Sequence, residues 1–394
     1  MGDKSIVLQI FTGGFKSHNL KFEDIEKKLT YVLENIKVEK VIMGWSTDSN
    51  LYIETKKLLK QYDIEYYLWI PVFSEVGLLK ESKLLVDYNS NEIESYALCD
   101  DENFEFYCPN NDINIKNLIS IFDERFKDIG FDGVFLDKIR YGSFSNKLSG
   151  VFSCFCNECT KKYLDNDIDI NELKTEMIKI SNGEESYQSI PFNLTSYEDG
   201  KYKFENEIWE KFFEIKSDSV YNSLVKIVDY FRGLDIKVGI DTFSPFISYF
   251  AGQDLEKLQK ICDFIKPMMY RITKAPAGLP FESDNLVNET IKVNKENANL
   301  KYLELIGANK YDKNKYPIDF VLKELEYINN KLNCSVYAGI EINRKDDIAP
   351  VYPEYIKENL IELEKSNISG YVLSWDLLSA PKENIDEVIR LIKK

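Results

Sequence analysis

The chain has 394 residues, 44% of them hydrophobic and 13% aromatic, which is enough for one large globular domain or two ordinary ones. Its formal net charge of −16 disfavours nucleic acid or an anionic membrane surface as a partner, because binding a polyanion needs a basic face. No run approaches the roughly 18 apolar residues of a membrane-spanning helix. The first residues, 1–14, show no signal-peptide pattern. We therefore expect a cytoplasmic protein, whose oligomeric state the sequence does not indicate.

Short apolar runs alternate with longer amphipathic ones along the chain. Strands are predicted at 5–11, 40–45, 64–73, 133–137, 237–243, 264–270, 335–342 and 370–375. Helices are predicted at 22–35, 51–61, 113–127, 204–231, 255–262, 319–331, 355–365 and 383–393. Repeated β-then-α units predict a parallel sheet, and eight of them predict an α/β fold, a (β/α)8 TIM barrel that takes in 1–394 as a single domain.

Two features leave alternatives to this topology open. The segment 301–306, KYLELI, also qualifies as a strand, and we interpret it as part of an excursion from the barrel. An open, doubly wound sheet is the second possible fold, although TGGF at 12–15 lacks the GxGxxG fingerprint of such folds. In GQDL, Asp254 is predicted to cap the helix at 255–262.

Two connections are much longer than the others. Insertions are predicted at 74–112, after the third strand, and at 142–203, after the fourth. In a barrel both lie on the C-terminal face, where active sites are built. Aromatic residues are frequent in the first insertion: Tyr88, Tyr96, Phe104, Phe106 and Tyr107. We expect a walled cleft on this face.

The chain contains a single histidine, His18. A metal site with several histidines is therefore impossible, and a nucleophilic triad would have to use this one residue. Acid–base chemistry must rely mainly on Asp, Glu, Lys, Tyr or Cys side chains.

Several predicted strands end in carboxylates: Asp137, Asp241, Glu341 and Asp376. A carboxylate at the end of a buried strand needs a partner, water or a substrate to offset its desolvation. Because a barrel directs the C-terminal ends of its strands towards one axis, we expect these groups to face a common cleft.

The segment GFDGVFLDKIRYGSF, 130–144, is the strongest of these features. Asp137 follows a run of buried residues and is interpreted as a catalytic carboxylate. The structural alternative is a helix cap or an ion pair with Lys138 or Arg140. Arg140 could equally bind a substrate hydroxyl or carboxylate.

Two facing carboxylates surrounded by aromatic platforms are typical of a glycosidase site. One carboxyl must carry a proton for the leaving oxygen, and the other must be ionised to attack the anomeric carbon or to activate water. Burial and mutual repulsion separate the two pKa values. The residues predicted to contact the sugar are Arg140, Tyr141, Asp241, Tyr270, Trp375 and Asp376. For the aromatic members the alternative is a place in the core, and Asp241 could instead hold Arg140.

Four cysteines predict a metal site. Cys154, Cys156 and Cys159 form a C-x-C-x2-C cluster, and Cys108 precedes them in FYCPNN. Four thiolates can close a tetrahedral zinc site without histidine, and such a closed site is structural. It would join the loop after the fourth strand to the loop after the third. The remaining cysteines are expected to be ordinary buried thiols: Cys99, Cys262 and Cys334.

GFDGVFLDKIRY resembles the strand-4 motif of TIM-barrel glycoside hydrolases, and 239–270 resembles the strand-5 to strand-6 region of putative members of that group. The cysteine arrangement is similar to the zinc cluster of family 42 β-galactosidases. This resemblance implies an acid/base at Asp137, a nucleophile at Glu341 and a retaining mechanism. If 301–306 were a barrel strand, Glu304 would compete with Glu341.

The resemblance has departures. Family 42 enzymes have Asn-Glu at the acid position, where this chain has Leu136 and Asp137. The strand also resembles the family 18 chitinase motif DGxDxDxE, but Ile139 stands in place of the catalytic Glu. That difference argues against the chitinase mechanism.

The sequence thus predicts a glycoside hydrolase that acts on an oligosaccharide or glycoside, with structural zinc and no organic cofactor. One alternative is a carbohydrate-binding protein on a degenerate glycosidase barrel. A second is a metal-dependent sugar-processing enzyme with a metal held among Asp137, Asp241 and Glu341.

Overall fold

The computed structural model describes residues 4–14, 20–74, 82–95, 104–311 and 314–393. Eight parallel strands close into a barrel, each paired with the next along the chain and the last with the first. They are β1 (Ser5–Phe11), β2 (Lys40–Gly44), β3 (Glu65–Pro71), β4 (Gly133–Asp137), β5 (Lys237–Phe243), β6 (Phe264–Met268), β7 (Ser335–Glu341) and β8 (Gly370–Ser374). The predicted TIM barrel is confirmed.

Helices surround this barrel. They are α1 (Phe22–Leu33), α2 (Ser49–Lys60), α3 (Asp112–Arg125), α4 (Lys147–Val151), α5 (Asn157–Asp165), α6 (Ile170–Asn182), α7 (Ile208–Arg232), α8 (Pro245–Ala251), α9 (Leu255–Leu258), α10 (Leu279–Thr290), α11 (Lys295–Ile306), α12 (Ile318–Lys331), α13 (Pro353–Leu363) and α14 (Lys382–Ile392). Among the described residues, no helix is both long and apolar enough to cross a membrane.

The strands are buried along almost their whole length, as expected for a parallel sheet covered by helices. Glycines leave room for large side chains from neighbouring strands. A Cβ at Gly133 would lie 2.1 Å from the Tyr67 ring, and a Cβ at Gly239 would lie 2.2 Å from the Phe264 ring. Aromatic residues therefore fill this part of the barrel.

The alternative in which 301–306 is a barrel strand is wrong, because these residues end helix α11. The buried residues Ala298, Tyr302 and Ile306 recur at helical spacing, and a six-residue window is too short to show that period. The interpretation of this segment as an excursion from the barrel is confirmed. Glu304 is exposed on this outer helix, so it does not compete with the strand-end carboxylates.

Long segments follow β3 and β4. The first includes short bridges that join Ser74 to Phe106 and Leu84 to Tyr107. The second carries α4, α5 and α6, and then an antiparallel hairpin of Leu194–Glu198 and Lys201–Phe204.

Candidate active site

A cavity lies at the C-terminal ends of the barrel strands and encloses about 630 Å³ between its lining atoms, part of it open to solvent. Residues from β1, β3, β4, β5 and β6 line it together with the segments that follow the strands. The lining includes the carboxylates Asp137 and Asp241 and the cations Lys138 and Arg140. Two of the four predicted strand-end carboxylates therefore share one cavity.

Asp137 ends β4 and is 8% exposed. Its Oδ2 accepts a hydrogen bond of 2.9 Å from the Trp69 indole N–H, and its Oδ1 accepts one from the backbone N–H of Lys138. Lys138 adopts a left-handed backbone with φ of 48°, which turns the chain sharply after the strand. Asp137 is thus a fixed acceptor at the edge of the cavity.

Asp241 lies on β5 and is 2% exposed. Burial raises the pKa of its carboxyl to about 7; the charge of Asp137 adds to this shift and Lys266 opposes it. Its Oδ2 accepts a hydrogen bond of 2.9 Å from Lys266, whereas its Oδ1 has no partner among the described residues. The two aspartates are therefore close enough to influence each other, and their environments differ.

Lys266 connects the groups at the base of the cavity. It is fully buried on β6, and its ammonium donates to Gln9 Oε1 at 3.0 Å, to Asp241 and to the Tyr270 hydroxyl at 2.8 Å. Burial alone would lower the pKa of Lys266, but the Asp241 carboxylate and Tyr270 raise it above its usual range. Lys266 and Gln9 were not predicted, although a polar residue inside an apolar strand such as FIKPM or SIVLQIF is a detectable signal.

Three polar atoms of cavity-lining residues are buried without a hydrogen-bond partner in the described part of the chain: Gln9 Nε2, Trp45 Nε1 and Asp241 Oδ1. Buried polar atoms in folded proteins are nearly always paired, and each exception calls for a reason. Two of these atoms are N–H donors and one is a carboxyl oxygen. A polar ligand in the cavity would supply partners for all three.

Aromatic rings form much of the cavity wall. Trp45 packs against Phe11 and Trp69, with ring centroids 4.9 Å and 5.5 Å away. Tyr270 and Trp375 line the cavity as predicted, and their ring centroids are 6.4 Å apart. Flat apolar surfaces beside carboxylates suit the faces of sugar rings.

Arg140 also lines the cavity, where its guanidinium lies between two rings, 4.4 Å from the centroids of both Phe106 and Phe243. Its Nη1 donates to the backbone carbonyl of Tyr141 at 2.9 Å. Tyr141 itself is buried behind the cavity, with its ring 4.7 Å from the Lys216 ammonium. Tyr141 does not belong to the cavity lining, so Arg140 is the member of this pair placed to meet a ligand.

Glu341 ends β7 but does not belong to the cavity lining. Its Oε1 accepts hydrogen bonds of 3.1 Å from the backbone N–H of Ile272 and from the Thr273 hydroxyl, and its Oε2 accepts one from Tyr355. Burial raises the pKa of this carboxyl, and these hydrogen bonds oppose the shift. Glu341 thus ties the segment after β6 to α13.

Asp376 likewise lies outside the cavity lining. Its carboxylate accepts from the backbone N–H groups of Phe11, Leu378 and Ser379 at 2.9–3.1 Å and thereby shapes the segment after β8.

The four predicted cysteine ligands converge. Their sulfur atoms all lie within 4.8 Å of one another, and Cys108 Sγ is 3.6 Å from Cys156 Sγ and 3.4 Å from Cys159 Sγ. A tetrahedral site with zinc–sulfur bonds of about 2.3 Å has sulfur atoms about 3.8 Å apart, so this spacing fits zinc. Cys154 Sγ also accepts a hydrogen bond from the Val86 backbone N–H, and Cys159 Sγ accepts one from the Asn110 amide. Such donors orient the ligands of a metal site.

Among the described residues, this cluster is the only group of three or more side chains positioned to hold one metal ion. A carboxylate metal site shared by Asp137, Asp241 and Glu341 is therefore not present in that part of the chain. Of the other cysteines, Cys262 is buried as predicted and Cys334 is only partly buried. Three residues named in the sequence analysis lie outside the described residues: His18, Tyr96 and Cys99.

The whole chain is similar in structure to known glycoside hydrolases. The glycoside hydrolase domain of PgaB (BpsB) from Bordetella bronchiseptica aligns over 99% of this chain and 98% of its own, with a TM-score of 0.59 and 11% identity. Alpha-L-fucosidase isoenzyme 2 from Paenibacillus thiaminolyticus aligns over 99% of this chain and 49% of its own, with a TM-score of 0.50 and 9% identity. At such low identity the similarity shows the fold.

No protein-family model matches the sequence, and no curated protein matches it either. The similarity of the cysteine cluster to that of family 42 enzymes therefore stays a prediction.

Proposed function

We propose that the protein hydrolyses a glycosidic bond of an oligosaccharide or glycoside. The observation that carries this proposal is the pair Asp137 and Asp241, which line one cavity in different environments. Glycoside hydrolysis needs two carboxyl groups in opposite protonation states on either side of the scissile bond. The aromatic walls and the similarity in fold to glycoside hydrolases support the same conclusion.

Asp241 is the better proton donor of the two. Its pKa of about 7 keeps a proton available near neutral pH, which is what a general acid requires. Asp137 instead accepts hydrogen bonds from two N–H donors, which hold its carboxyl group in a fixed orientation at the cavity, as a nucleophile or base requires. The sequence-based assignment of Asp137 as the acid is the alternative, and the roles can be tested separately.

In this proposal Glu341 has a structural role, because its two carboxylate oxygens already accept three hydrogen bonds from the protein. Its role as nucleophile stays a prediction. The variant Glu341→Gln distinguishes these two roles. A folded variant with near-normal turnover fits the structural role, and a folded variant without turnover supports Glu341 as the nucleophile.

Retention of anomeric configuration, the outcome implied by the sequence resemblance, remains part of the proposal. NMR of the first-formed product measures the stereochemical outcome directly. Before mutarotation, the product of a retaining enzyme has the same anomeric configuration as the substrate. Arg140, Tyr270 and Trp375 are proposed to contact the sugar, since all three line the cavity.

We also propose that the four-cysteine cluster holds a structural zinc ion. It joins Cys108, which precedes α3, to three cysteines around α5, and so fixes the segment after β4 against the segment after β3. Four thiolates leave no open coordination position, so the ion takes no part in hydrolysis.

The proposed function is tested with a panel of nitrophenyl glycosides and oligosaccharides. We expect turnover on at least one sugar, with a loss of about 100-fold or more in Asp137→Asn on any cleaved substrate and in Asp241→Asn on the oligosaccharides, whose leaving groups need a proton. Asp254→Asn, which changes only a helix cap on α9, is the matched control. Sugar binding without turnover on any substrate would instead favour the carbohydrate-binding alternative.

A further inference from the structure

Helix α7 carries a completely buried lysine, Lys216. Its ammonium donates a hydrogen bond of 2.6 Å to the backbone carbonyl of Val151, and the ring centroids of Tyr141, Phe212 and Phe213 lie 4.7, 5.2 and 5.7 Å from it. No carboxylate of the described residues forms an ion pair with it. Because an ammonium is costly to remove from water without an opposite charge, this side chain needs an anion nearby.

The four-cysteine cluster supplies negative charge at this place. Val151, which accepts the hydrogen bond from Lys216, stands three residues before Cys154. Burial lowers the pKa of Lys216 to about 7, and the charges that oppose this shift are those of Cys154 and Cys159. In the described part of the chain, the cysteine cluster is therefore the counter-charge of this buried lysine.

A cluster of four thiolates needs positive charge in turn. A zinc ion neutralises only two of the four negative charges, so the zinc-loaded cluster keeps a net negative charge. The N–H donors from Val86 and Asn110 orient the sulfur atoms but carry no net charge. A buried anion without a counter-charge is as unfavourable as a buried cation without one. The cluster and Lys216 therefore complement each other.

A second lysine, Lys162, lies on another side of the cluster. It follows Cys159 by three residues on α5, which places both side chains on one face of that helix. Burial lowers the pKa of Lys162, and the charges of Cys159 and Cys108 oppose that shift. Lys162 is only partly buried, so solvent screens its charge and its contribution should be the smaller one.

We infer that Lys216 is the counter-ion of the four-cysteine zinc site, and that its ammonium stabilises the zinc-loaded cluster by balancing its negative charge. Lys162 has the same role to a lesser extent. This inference rests on the proposed zinc site and specifies what stabilises it. It makes zinc binding depend on a residue that is not a ligand and that lies outside the segments carrying the cysteines.

Zinc affinity tests the inference directly. The full chain is titrated with Zn²⁺ in competition with a chelating dye, as wild type and as Lys216→Met, which removes the charge but keeps an unbranched side chain among the rings. We expect zinc affinity to fall by about tenfold or more, as is typical when a group outside the ligand set of a metal site is lost. Lys211→Met, a change at an exposed lysine of the same helix, should bind zinc like wild type.

The variant Lys216→Gln separates the charge from the hydrogen bond to Val151. It keeps an N–H donor, so it would restore zinc affinity if only that hydrogen bond mattered. The inference predicts that Lys216→Gln loses zinc affinity as Lys216→Met does, and that Lys162→Met loses less. Normal zinc affinity in folded Lys216→Gln would contradict the role of the charge.

Melting temperatures measured with zinc and with a chelator distinguish this role from a purely structural one. Lys216→Met should lower the melting temperature of the zinc-loaded protein and leave that of the chelator-treated protein unchanged or higher, because the ammonium then has no strong counter-charge to lose. An equal loss in both states overturns the inference, and so does a zinc affinity within about threefold of wild type in folded Lys216→Met. Wild-type protein that binds no zinc counts against the metal site itself and removes the basis of the inference with it.

Discussion

At the scale of single residues, Lys266 is the buried cation that connects the polar groups at the base of the cavity. It is fully buried, and its ammonium contacts Gln9, Asp241 and Tyr270 within 3.0 Å. A buried cation beside a buried carboxyl lowers the pKa of that carboxyl, which burial has raised. Lys266 therefore sets how readily Asp241 releases its proton, and it fixes one carboxylate oxygen while leaving the other for a substrate.

Replacement of Lys266 by Met should raise the pKa of Asp241 further, because the positive charge that opposes the effect of burial is lost. If Asp241 is the general acid, the basic limb of the profile of kcat/KM against pH should move upwards by about one unit or more. Carbon-13 NMR of labelled aspartate reports the same shift if turnover is too slow. Lys257→Met, a partly exposed lysine paired with Asp218, serves as control. A folded variant whose limb stays in place or moves downwards would contradict this role.

At the scale of elements, α12 carries a buried carboxyl that joins three parts of the fold. Glu324 accepts hydrogen bonds from the Tyr197 hydroxyl in the hairpin and from the Ser244 hydroxyl and the Phe246 backbone N–H after β5. Burial raises the pKa of Glu324 to about 7, although these hydrogen bonds oppose the shift. The folded protein thus keeps a proton on Glu324 at pH values where the unfolded chain has released it.

This proton makes a stabilising contribution that is complete at pH values below about 4.5, the ordinary value, and is lost as the pH rises to about 7. Glu324→Gln carries no such proton. The free energy of unfolding of the variant relative to wild type should therefore rise by about 3 kcal/mol between pH 4 and pH 8. Urea titrations at several pH values measure it. Glu326→Gln, a change at an exposed residue of the same helix, should show no such trend. If the difference in free energy of unfolding between Glu324→Gln and wild type does not change with pH, the raised pKa of Glu324 is wrong.

The two long segments after β3 and β4 depend on the cysteine cluster, because Cys108 belongs to one and Cys154, Cys156 and Cys159 to the other. Replacement of Cys156 by Ser should lower the zinc content from about one ion per chain towards zero, since a structural site needs all four ligands. It should also lower the melting temperature and make the segment after β4 more sensitive to protease.

Cys334→Ser is the matched control for that experiment, because Cys334 is a partly buried thiol outside the cluster. Metal analysis and limited proteolysis of both variants measure the effect. Purified wild-type protein with much less than one zinc per chain would contradict the proposed metal site.

The sequence predicts an element well where a pattern of apolar residues repeats over many residues. Eight strand–helix units predicted the barrel, and the spacing of four cysteines predicted the cluster that the structure contains. Asp254 caps α9 as expected, with its carboxylate accepting from the Lys257 backbone N–H. The short segment 301–306 left a barrel strand open as an alternative, because six residues fit either a strand or the end of a helix.

The site was less predictable, because it depends on how loops cover the strand ends. Asp137 and Glu341 both end strands, but only Asp137 lines the cavity. Donors from the segment after β6 and from α13 bind the carboxylate of Glu341. Nothing in VYAGIEIN indicates those partners. Gln9 and Lys266 were detectable as polar residues inside apolar strands, but only the barrel brings them to the same point. Asp241 was predicted as a sugar contact, and the structure adds its contact with the buried Lys266 ammonium, which VGIDTF does not indicate.

At the scale of the whole molecule, the barrel strands bring the residues of the candidate site to one cavity at their C-terminal ends. Six consecutive strands, β1 to β6, contribute residues to the base or wall of the cavity if Trp45 is counted with β2. The cysteine cluster lies between the two segments that follow β3 and β4. A polar site with unpaired buried atoms is tolerated in this position because the buried barrel strands hold it in place. Asp137 and Asp241, the two residues that we propose to be catalytic, lie on neighbouring strands of this barrel.

The most direct test of that claim compares leaving groups. Two glycosides of the same sugar are used, one with a dinitrophenyl and one with an alkyl leaving group, against wild type, Asp241→Asn and Asp137→Asn. A general acid matters only for the poor leaving group. We predict that Asp241→Asn loses about 100-fold or more in kcat/KM on the alkyl glycoside and far less on the dinitrophenyl glycoside, whereas Asp137→Asn loses activity on both. Wild-type turnover of both substrates by both folded variants would contradict the account.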